Sequence, residues 1–252
     1  PPVRWGNGGQ MNNNVMWESE RGIMIKGERH FCFNNTTFAM GLNGLIILDD
    51  SDVNGGANKG TITRNNLAGK LSGHRKKFTP VPGIADHNWN AYENEGDYRT
   101  QLRDPDNWDF RPIVGAEIVD AGKVISDRSE KYLGNAPDIG AYEFGAKEYW
   151  IPGRKEATSS IPIPRNKNTA AKQNTDLIWL SAYKSETNLI YFGNSNKAVS
   201  KASPKSIEYK GKQKNNIFAP GNLQTGKTYY WRIDNIVGGK VIKGPVWSFT
   251  AE

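Results

Sequence analysis

Length, composition and charge limit the classes to which this sequence can belong. The chain has 252 residues, of which 37% are hydrophobic and 11% aromatic, so it is too rich in aromatic side chains for a disordered segment. It contains no apolar run near the roughly 20 residues that a membrane helix needs. A single cysteine, Cys32, excludes an internal disulfide framework and is expected to be a buried small hydrophobe.

Charge is distributed unevenly along the chain. Residues 1–150 carry 17 basic and 20 acidic side chains, whereas residues 151–252 carry 16 basic and 6 acidic ones. This asymmetry predicts two domains with different surfaces. The basic half would attract a polyanion, but its aromatic residues occupy core-type positions, so nucleic acid is not expected as a partner. An anionic polysaccharide and a solvated basic face remain as alternatives.

In the first half of the chain, short strand-like runs alternate with asparagine and glycine corners, which favours an all-β protein. Asn34-Asn35 follows one such run, and Asn65-Asn66 follows another, 31 residues later. A fixed strand–turn unit that returns after about 20–35 residues is typical of a solenoid. In that case the asparagine side chains of successive corners would stack and form hydrogen bonds. A β-sandwich meander is the alternative.

The remaining elements follow in chain order. Residues 70–112 lose this rhythm and are predicted to form a long excursion, and a second ordered stretch runs over 113–144. Residues 151–175 are rich in proline and polar side chains and are predicted to be a linker. Residues 176–252 contain about seven short strand-like runs separated by turn signals, which indicates a β-sandwich.

Two parts of the second half resemble a known module. The stretches 228–234 and 246–250 resemble fibronectin type III-like modules, and 176–193 is similar to the first half of the same module. The resemblance implies a seven-stranded sandwich. It also implies a core of four aromatic side chains, namely Trp179, Tyr191, Tyr230 and Trp247.

Residues 1–150 resemble the C-terminal coils of right-handed parallel β-helix proteins. The corners at 34–38 and 63–66 match the "NNT" and "NN" corners of that class, and 109–112, 118–122 and 137–143 are similar to its terminal cap. The implied architecture is β-helix coils and cap over 1–150, a linker over 151–175, and a fibronectin type III-like sandwich over 176–252. Only three or four coils fit, so an N-terminal remainder of the same protein is expected as a partner.

The class includes polysaccharide lyases, glycoside hydrolases and adhesins. The resemblance therefore implies a bacterial protein, secreted or located at the cell surface or in the periplasm, that degrades an acidic (uronate or sulfated) polysaccharide. β-Elimination is the favoured reaction. A glycoside hydrolase of the same class and a non-catalytic glycan-binding or adhesion module are the alternatives. No nucleic acid partner and no membrane span are expected.

Lys26, Arg29 and His30 form the densest titratable group near a predicted strand end. A lyase needs a base that removes the proton α to a uronate carboxylate and a cation that stabilises the enolate, and these residue types supply both. They are therefore the candidate catalytic residues, with an ordinary polar turn as the alternative. Carboxylate pairs such as Glu18 and Glu20 would instead suit a hydrolase.

Two further groups are candidates for ligand binding. Basic and aromatic side chains in the excursion are predicted to bind an acidic sugar chain, unless the aromatic residues only anchor the loop; they are His74, Arg75, His87, Trp89 and Tyr92. The acidic group Asp49, Asp50 and Asp52 offers oxygen ligands of the kind that Ca²⁺ prefers, with a polar loop as the alternative. No other cofactor is expected.

Overall fold

Two units make up the part of the chain that the structure, a computed structural model, describes, namely residues 6–38, 43–47, 58–75, 77–92, 96–126 and 132–252. The first unit comprises Pro1–Arg103 and Phe110–Ala146, and the second comprises Asp104–Asp109 and Lys147–Glu252. Strands predominate in both units, which confirms the all-β class. Within the described ranges, no helix has the length and apolar character needed to cross a membrane.

Short strands occupy much of the chain up to residue 112. In chain order they are β1 (Gly6–Asn7), β2 (Gln10–Asn12), β3 (Val15–Trp17), β4 (Arg21–Ile25), β5 (Gly27–Glu28), β6 (Phe31–Phe33), β7 (Thr36–Phe38), β8 (Asn43–Ile47), β9 (Ile62–Arg64), β10 (Leu67–Ala68), β11 (Leu71–Ser72), β12 (Ile84–Asp86), β13 (Trp89–Asn90), β14 (Leu102–Asp104) and β15 (Asp109–Pro112). Two 3-10 helices lie at Tyr98–Thr100 and Pro105–Asn107.

Strands β2 to β13, except β5, form three parallel sheets, and we call these three sheets together the strand stack. The three sheets have the orders β2-β6-β9-β12, β3-β7-β10-β13 and β4-β8-β11. Strand β5 pairs with β1 in a separate two-stranded parallel sheet. Cys32 lies opposite Met11 on one side and opposite Thr63 on the other, and Thr63 lies opposite Ala85. Two of the sheets therefore take one strand from each of four successive repeats, and the sheet β4-β8-β11 takes one strand from each of the first three.

The interior of the strand stack is apolar because alternate residues of each strand point inward. Its buried core consists of Ile23, Ile25, Cys32, Leu45, Ala68 and Leu71. Gly22 and Gly44 bring β4 and β8 very close together, since a Cβ atom on Gly22 would lie 1.9 Å from the carbonyl oxygen of Gly44. A side chain at Gly22 would therefore force the two strands apart.

Residues 98–103, 110–126 and 132–146 of the first unit flank the strand stack, and several of them contact it. The ring of Phe38 contacts those of Tyr98 and Phe110, with centroid distances of 4.9 and 5.7 Å. The backbone N–H of Gly140 donates to the carbonyl of Asn65 at 2.8 Å. The sequence predicted a terminal cap over 109–112, 118–122 and 137–143, and this stays a prediction; the contacts of Phe110 and Gly140 lie on β7 and on the corner before β10.

The second unit contains strands β16 (Ser160–Ile163), β17 (Asn168–Ala171), β18 (Leu177–Leu180), β19 (Thr187–Gly193), β20 (Tyr209–Gln213), β21 (Ile217–Phe218), β22 (Thr228–Val237), β23 (Lys240–Ile242) and β24 (Val246–Ala251), with helix α1 (Asn196–Lys201) between β19 and β20. One sheet has the order β16-β18-β21 and the other β17-β24-β22-β19-β20, with β23 beside β22. The segment 151–175, predicted to be a linker, contributes β16 and β17 to these sheets and is therefore not a free connection.

The aromatic core of the second unit differs in part from the prediction. Trp179 and Trp247 are buried in the main core, as expected, together with Trp231, which the sequence did not single out. Tyr191 and Tyr230 belong instead to a second cluster that includes Val199 of α1. The physical reason is that α1 packs on the other face of the sheet, so the middle of β22, residues 231–235, is buried on both faces.

A buried arginine ties α1 to the sheet. The Arg232 guanidinium, 1% exposed, forms two hydrogen bonds with the Asp234 carboxylate, at 2.8 and 3.0 Å. It also donates to the carbonyls of Val199, Ser200 and Ala202 at the C-terminal end of α1. A positive charge is favourable at this end of a helix because the carbonyls there lack intrahelical partners.

Candidate functional site

The corners of the strand stack carry a repeated asparagine ladder. Each side-chain amide donates to the Oδ1 atom of the next, at 2.8, 2.8 and 2.9 Å, along Asn14, Asn35, Asn66 and Asn88. The members are separated by 21, 31 and 22 residues. The predicted stacking of Asn35 on Asn66 is therefore confirmed, and the sequence analysis missed the first and last members.

The residue before each ladder asparagine has a left-handed backbone, with φ between 51° and 54°; these residues are Asn13, Asn34, Asn65 and His87. His87, predicted to bind substrate, thus occupies a corner position that asparagine holds elsewhere. Its exposed ring has Nδ1 3.4 Å from Oδ1 of Asp86. Arg64 binds the same carboxylate, and its hydrogen bonds lower the pKa of Asp86.

The structure brings the three candidate catalytic residues into one turn between β4 and β6. His30 is fully buried, its Nδ1 accepts the N–H of Gly9, and its Nε2 lies 3.0 Å from the Lys26 carbonyl oxygen. A backbone N–H can only donate, so Nε2 carries the proton and donates to that carbonyl. Arg29 is exposed and has a φ of 55°. This geometry makes His30 a residue that shapes the turn.

One of the five candidate substrate-binding residues, Tyr92, belongs to an exposed aromatic pair, and the loop that contains two others, His74 and Arg75, adjoins this pair in sequence. Tyr92 has an exposed fraction of 54%, its ring stacks on Phe78 at 4.9 Å, and the Nζ atom of Lys70 lies 4.9 Å from its ring centroid. The basic loop that contains His74 and Arg75 leads directly into Phe78. We call these residues, together with Lys77, the basic aromatic patch.

Ser72 holds the described part of the loop of the basic aromatic patch, together with two other hydrogen bonds. In these, the backbone N–H of Gly73 donates to the carbonyl of Thr79, and the backbone N–H of Lys77 donates to Nδ1 of His74. Oγ of Ser72 accepts the backbone N–H groups of His74 and Thr79, at 3.2 and 3.1 Å, and donates to the carbonyl of Lys77. Ser72 is itself buried. The basic side chains therefore project from a fixed turn, which lowers the entropic cost of ordering them around a ligand.

Trp89 lies away from the patch. Its ring is buried, and its Nε1–H donates to a carboxylate oxygen of Glu117 at 3.0 Å. This is the loop-anchoring role that the sequence left open as the alternative. Lys70 and Phe78 were not singled out from the sequence, although Lys70 sits just before the strand that leads into the basic loop.

Two carboxylates organise the segment that flanks the strand stack. The Glu143 carboxylate accepts the backbone N–H groups of Asp138 and Leu133, at 3.1 and 3.2 Å. Burial, with a smaller contribution from the Asp138 charge, raises the pKa of Glu143 to about 7. Asp120 accepts the N–H groups of Asn135 and Ala136, which lower its pKa. These bonds to backbone donors indicate a structural role.

The candidate Ca²⁺ ligands Asp49, Asp50 and Asp52 lie outside the residues that the structure describes. In the part of the chain that is described, no group of three or more histidine, cysteine or acidic side chains is arranged to hold a metal ion. The predicted Ca²⁺ site therefore stays a prediction.

Comparison with known proteins adds no family assignment: no family model, no curated protein and no solved structure matches this chain.

Proposed function

We propose that this chain is part of a polysaccharide-active protein whose first unit binds an acidic glycan at the basic aromatic patch. The observation that carries the proposal is the exposed Tyr92 ring with the Lys70 ammonium group above it, beside a fixed loop bearing His74 and Arg75. An aromatic ring packs against the apolar face of a sugar, and cationic side chains pair with its carboxylate or sulfate groups.

The arrangement of the strand stack supports the same proposal. Parallel sheets built from the strands of successive repeats, together with the asparagine ladder, are what short coils of a right-handed parallel β-helix would show. We propose this fold for the first unit and a fibronectin type III-like sandwich for the second. On this proposal the protein acts outside the bacterial cell or in the periplasm, and an N-terminal remainder would supply further coils beside β2, β3 and β4.

Affinity electrophoresis of the full chain tests the binding proposal. Gels would contain polygalacturonate or chondroitin sulfate, with uncharged dextran as the reference. The wild-type chain is expected to be retarded by an acidic polymer and to lose that retardation as salt rises, because exposed charge pairs are screened. Tyr92→Ala is expected to weaken retardation at least about tenfold in apparent Kd, which corresponds to ~1.4 kcal/mol.

Tyr183→Ala is the matched control. Tyr183 is 60% exposed, and the ammonium group of Lys184 lies above its ring. Tyr183 belongs to the second unit, and the sequence next to it contains no basic loop like the one in the basic aromatic patch. Retardation that is equal in the wild type and Tyr92→Ala would contradict the assignment of the patch. Unretarded migration of the wild type in both acidic gels would contradict acidic-glycan binding.

β-Elimination by the same protein is the second candidate. Lys26 and Arg29 share one turn whose shape is fixed by the buried His30, so a base and a cation lie close together in the chain. Incubation with the acidic polymers would then raise the ultraviolet absorbance of unsaturated uronate, and Lys26→Ala should abolish that rise. Release of reducing ends without absorbance would instead support a glycoside hydrolase, and retention with no product would support a non-catalytic binding or adhesion module.

A further inference from the structure

The second unit contains a cleft of about 660 Å³ formed by three separate segments of its chain. The segment 148–155 forms one wall, residues near the end of β18 and the start of β19 form another, and Lys214 and Asn216 complete it. Among its lining residues are one large exposed aromatic side chain, Trp150, and four charged ones, which are Glu148, Lys155, Glu186 and Lys214.

The indole of Trp150 is held outward by its neighbours. Tyr149 and Ile151, which flank it, are only 3% and 7% exposed, whereas Trp150 is 55% exposed. The side chains of the two neighbours are therefore turned into the protein, whereas that of Trp150 reaches the surface. Trp150 thus lines the cleft with more than half of its surface exposed.

This presentation is rigid. The side chain of Asn216 accepts the backbone N–H of Tyr149 at 2.9 Å and donates to the Tyr149 carbonyl at 2.7 Å. It also donates to the carbonyl of Trp179 in the core at 2.8 Å, and the Tyr149 hydroxyl donates to the carbonyl of Trp108 at 2.6 Å. The main chain beside Trp150 is thus fixed before any ligand arrives, which reduces the entropic cost of binding.

We propose that this cleft is a second glycan-binding site, in which one pyranose unit of an acidic polysaccharide stacks on Trp150. The inference rests on the proposed function. Lys155 and Lys214 would pair with the carboxylate or sulfate groups of the sugar chain, and Glu148 and Glu186 would accept hydrogen bonds from its hydroxyl groups. A mixture of cationic donors and anionic acceptors around an aromatic ring suits a ligand whose hydroxyl groups both donate and accept.

The experiment uses the full chain and tetrasaccharides of polygalacturonate and of chondroitin sulfate as probes. Tyr92→Ala removes the ring of the basic aromatic patch, so the residual affinity of that variant reports on the cleft. Adding Trp150→Ala is expected to reduce the residual affinity at least about tenfold, whereas adding Tyr183→Ala should leave it unchanged. In NMR spectra of the wild type, the indole Nε1–H signal that Trp150→Ala removes is expected to shift on titration.

The outcomes separate the two proposals. The proposal of a glycan site in the cleft would be overturned if Tyr92→Ala binds the tetrasaccharides equally well with and without Trp150→Ala. It would also be overturned if the indole signal of Trp150 does not move while the wild type binds. Either result would leave the proposed function in place. Loss of binding in Trp150→Ala together with full binding in Tyr92→Ala would support the cleft and overturn the patch. A wild-type chain that binds neither tetrasaccharide would overturn both.

Discussion

Replacing Asn66 with alanine is the sharpest test of what holds the strand stack together. Oδ1 of Asn66 accepts the backbone N–H and the side-chain amide of Asn35, at 3.1 and 2.8 Å. Its Nδ2 donates to the Cys32 carbonyl at 3.0 Å and to Oδ1 of Asn88 at 2.9 Å. The side chain is fully buried, so water cannot replace these partners without entering the stack.

The expected cost follows from these four hydrogen bonds. A net hydrogen bond contributes roughly 1 kcal/mol, and a buried donor left without an acceptor adds about 1–3 kcal/mol. Asn66→Ala is therefore expected to lower the free energy of unfolding of the first unit by about 3–5 kcal/mol, a large part of the stability of an ordinary domain. Asn14 is the control because it is exposed at the first corner and makes fewer ladder bonds. Asn14→Ala should cost less than about 1 kcal/mol.

Hydrogen exchange followed by mass spectrometry measures this difference within the full chain. Peptides that cover β6, β7, β9 and β10 should exchange much faster in Asn66→Ala, while peptides from the second unit should not change. Urea titration monitored over the same peptides gives the free energy. Equal costs for Asn66→Ala and Asn14→Ala, or unchanged protection of β6 and β9, would refute the view that the buried ladder stabilises the corners.

Three further predictions concern single residues. The pKa of Glu143 in the folded protein is about 7, above its ordinary value of 4.5. The folded state therefore binds the Glu143 carboxyl proton more tightly than the unfolded state does. For this reason the free energy of unfolding should fall by up to about 3 kcal/mol as pH rises from about 4.5 to about 7. Urea titrations across that range should show a smaller pH dependence in Glu143→Gln, and an equal one would count against the raised pKa. Arg232→Ala is expected to destabilise the second unit by about 3–5 kcal/mol, since it leaves the buried Asp234 carboxylate unpaired. Denaturation followed by tryptophan fluorescence checks this against the exposed control Lys240→Ala, and equal midpoints would contradict it. Burial raises the pKa of Cys32 to about 12, so a thiol reagent should modify it only after urea unfolding, and rapid modification of the folded chain would disprove its burial.

Local pattern predicted some features of this protein because neighbouring residues alone decide them. Alternation around Cys32 indicated a strand with a buried small side chain, and the structure places it in the core of the stack. The paired asparagines at 34–35 and 65–66 indicated equivalent corners, since asparagine tolerates a left-handed backbone and its amide bonds to the next copy. Asn14 lies 21 residues before Asn35, and Asn88 lies 22 residues after Asn66, so these two residues complete the series. A repeat whose length varies by about ten residues therefore predicts all four corners.

The candidate sites depended on contacts that no local pattern contains. The residue type alone made His30 and Tyr92 candidates. In the structure, backbone groups of Gly9 and Lys26 enclose the ring of His30, whereas the ring of Tyr92 stacks on Phe78 and stays exposed. Trp150 was overlooked because its exposure depends on Asn216, which is distant in sequence and fixes the adjacent Tyr149.

The amino-acid sequence by itself determined the all-β class, the strand alternation and the asparagine corners, because these depend on backbone preferences within a few residues. Only the tertiary structure decided which polar side chains lie in water, since burial depends on segments that meet across the fold. Helix α1 over Tyr191 and the flanking segment over Asn34 and Asn65 are examples. Electrostatic and hydrogen-bonding energies depend on that burial, and so did the location of each candidate site.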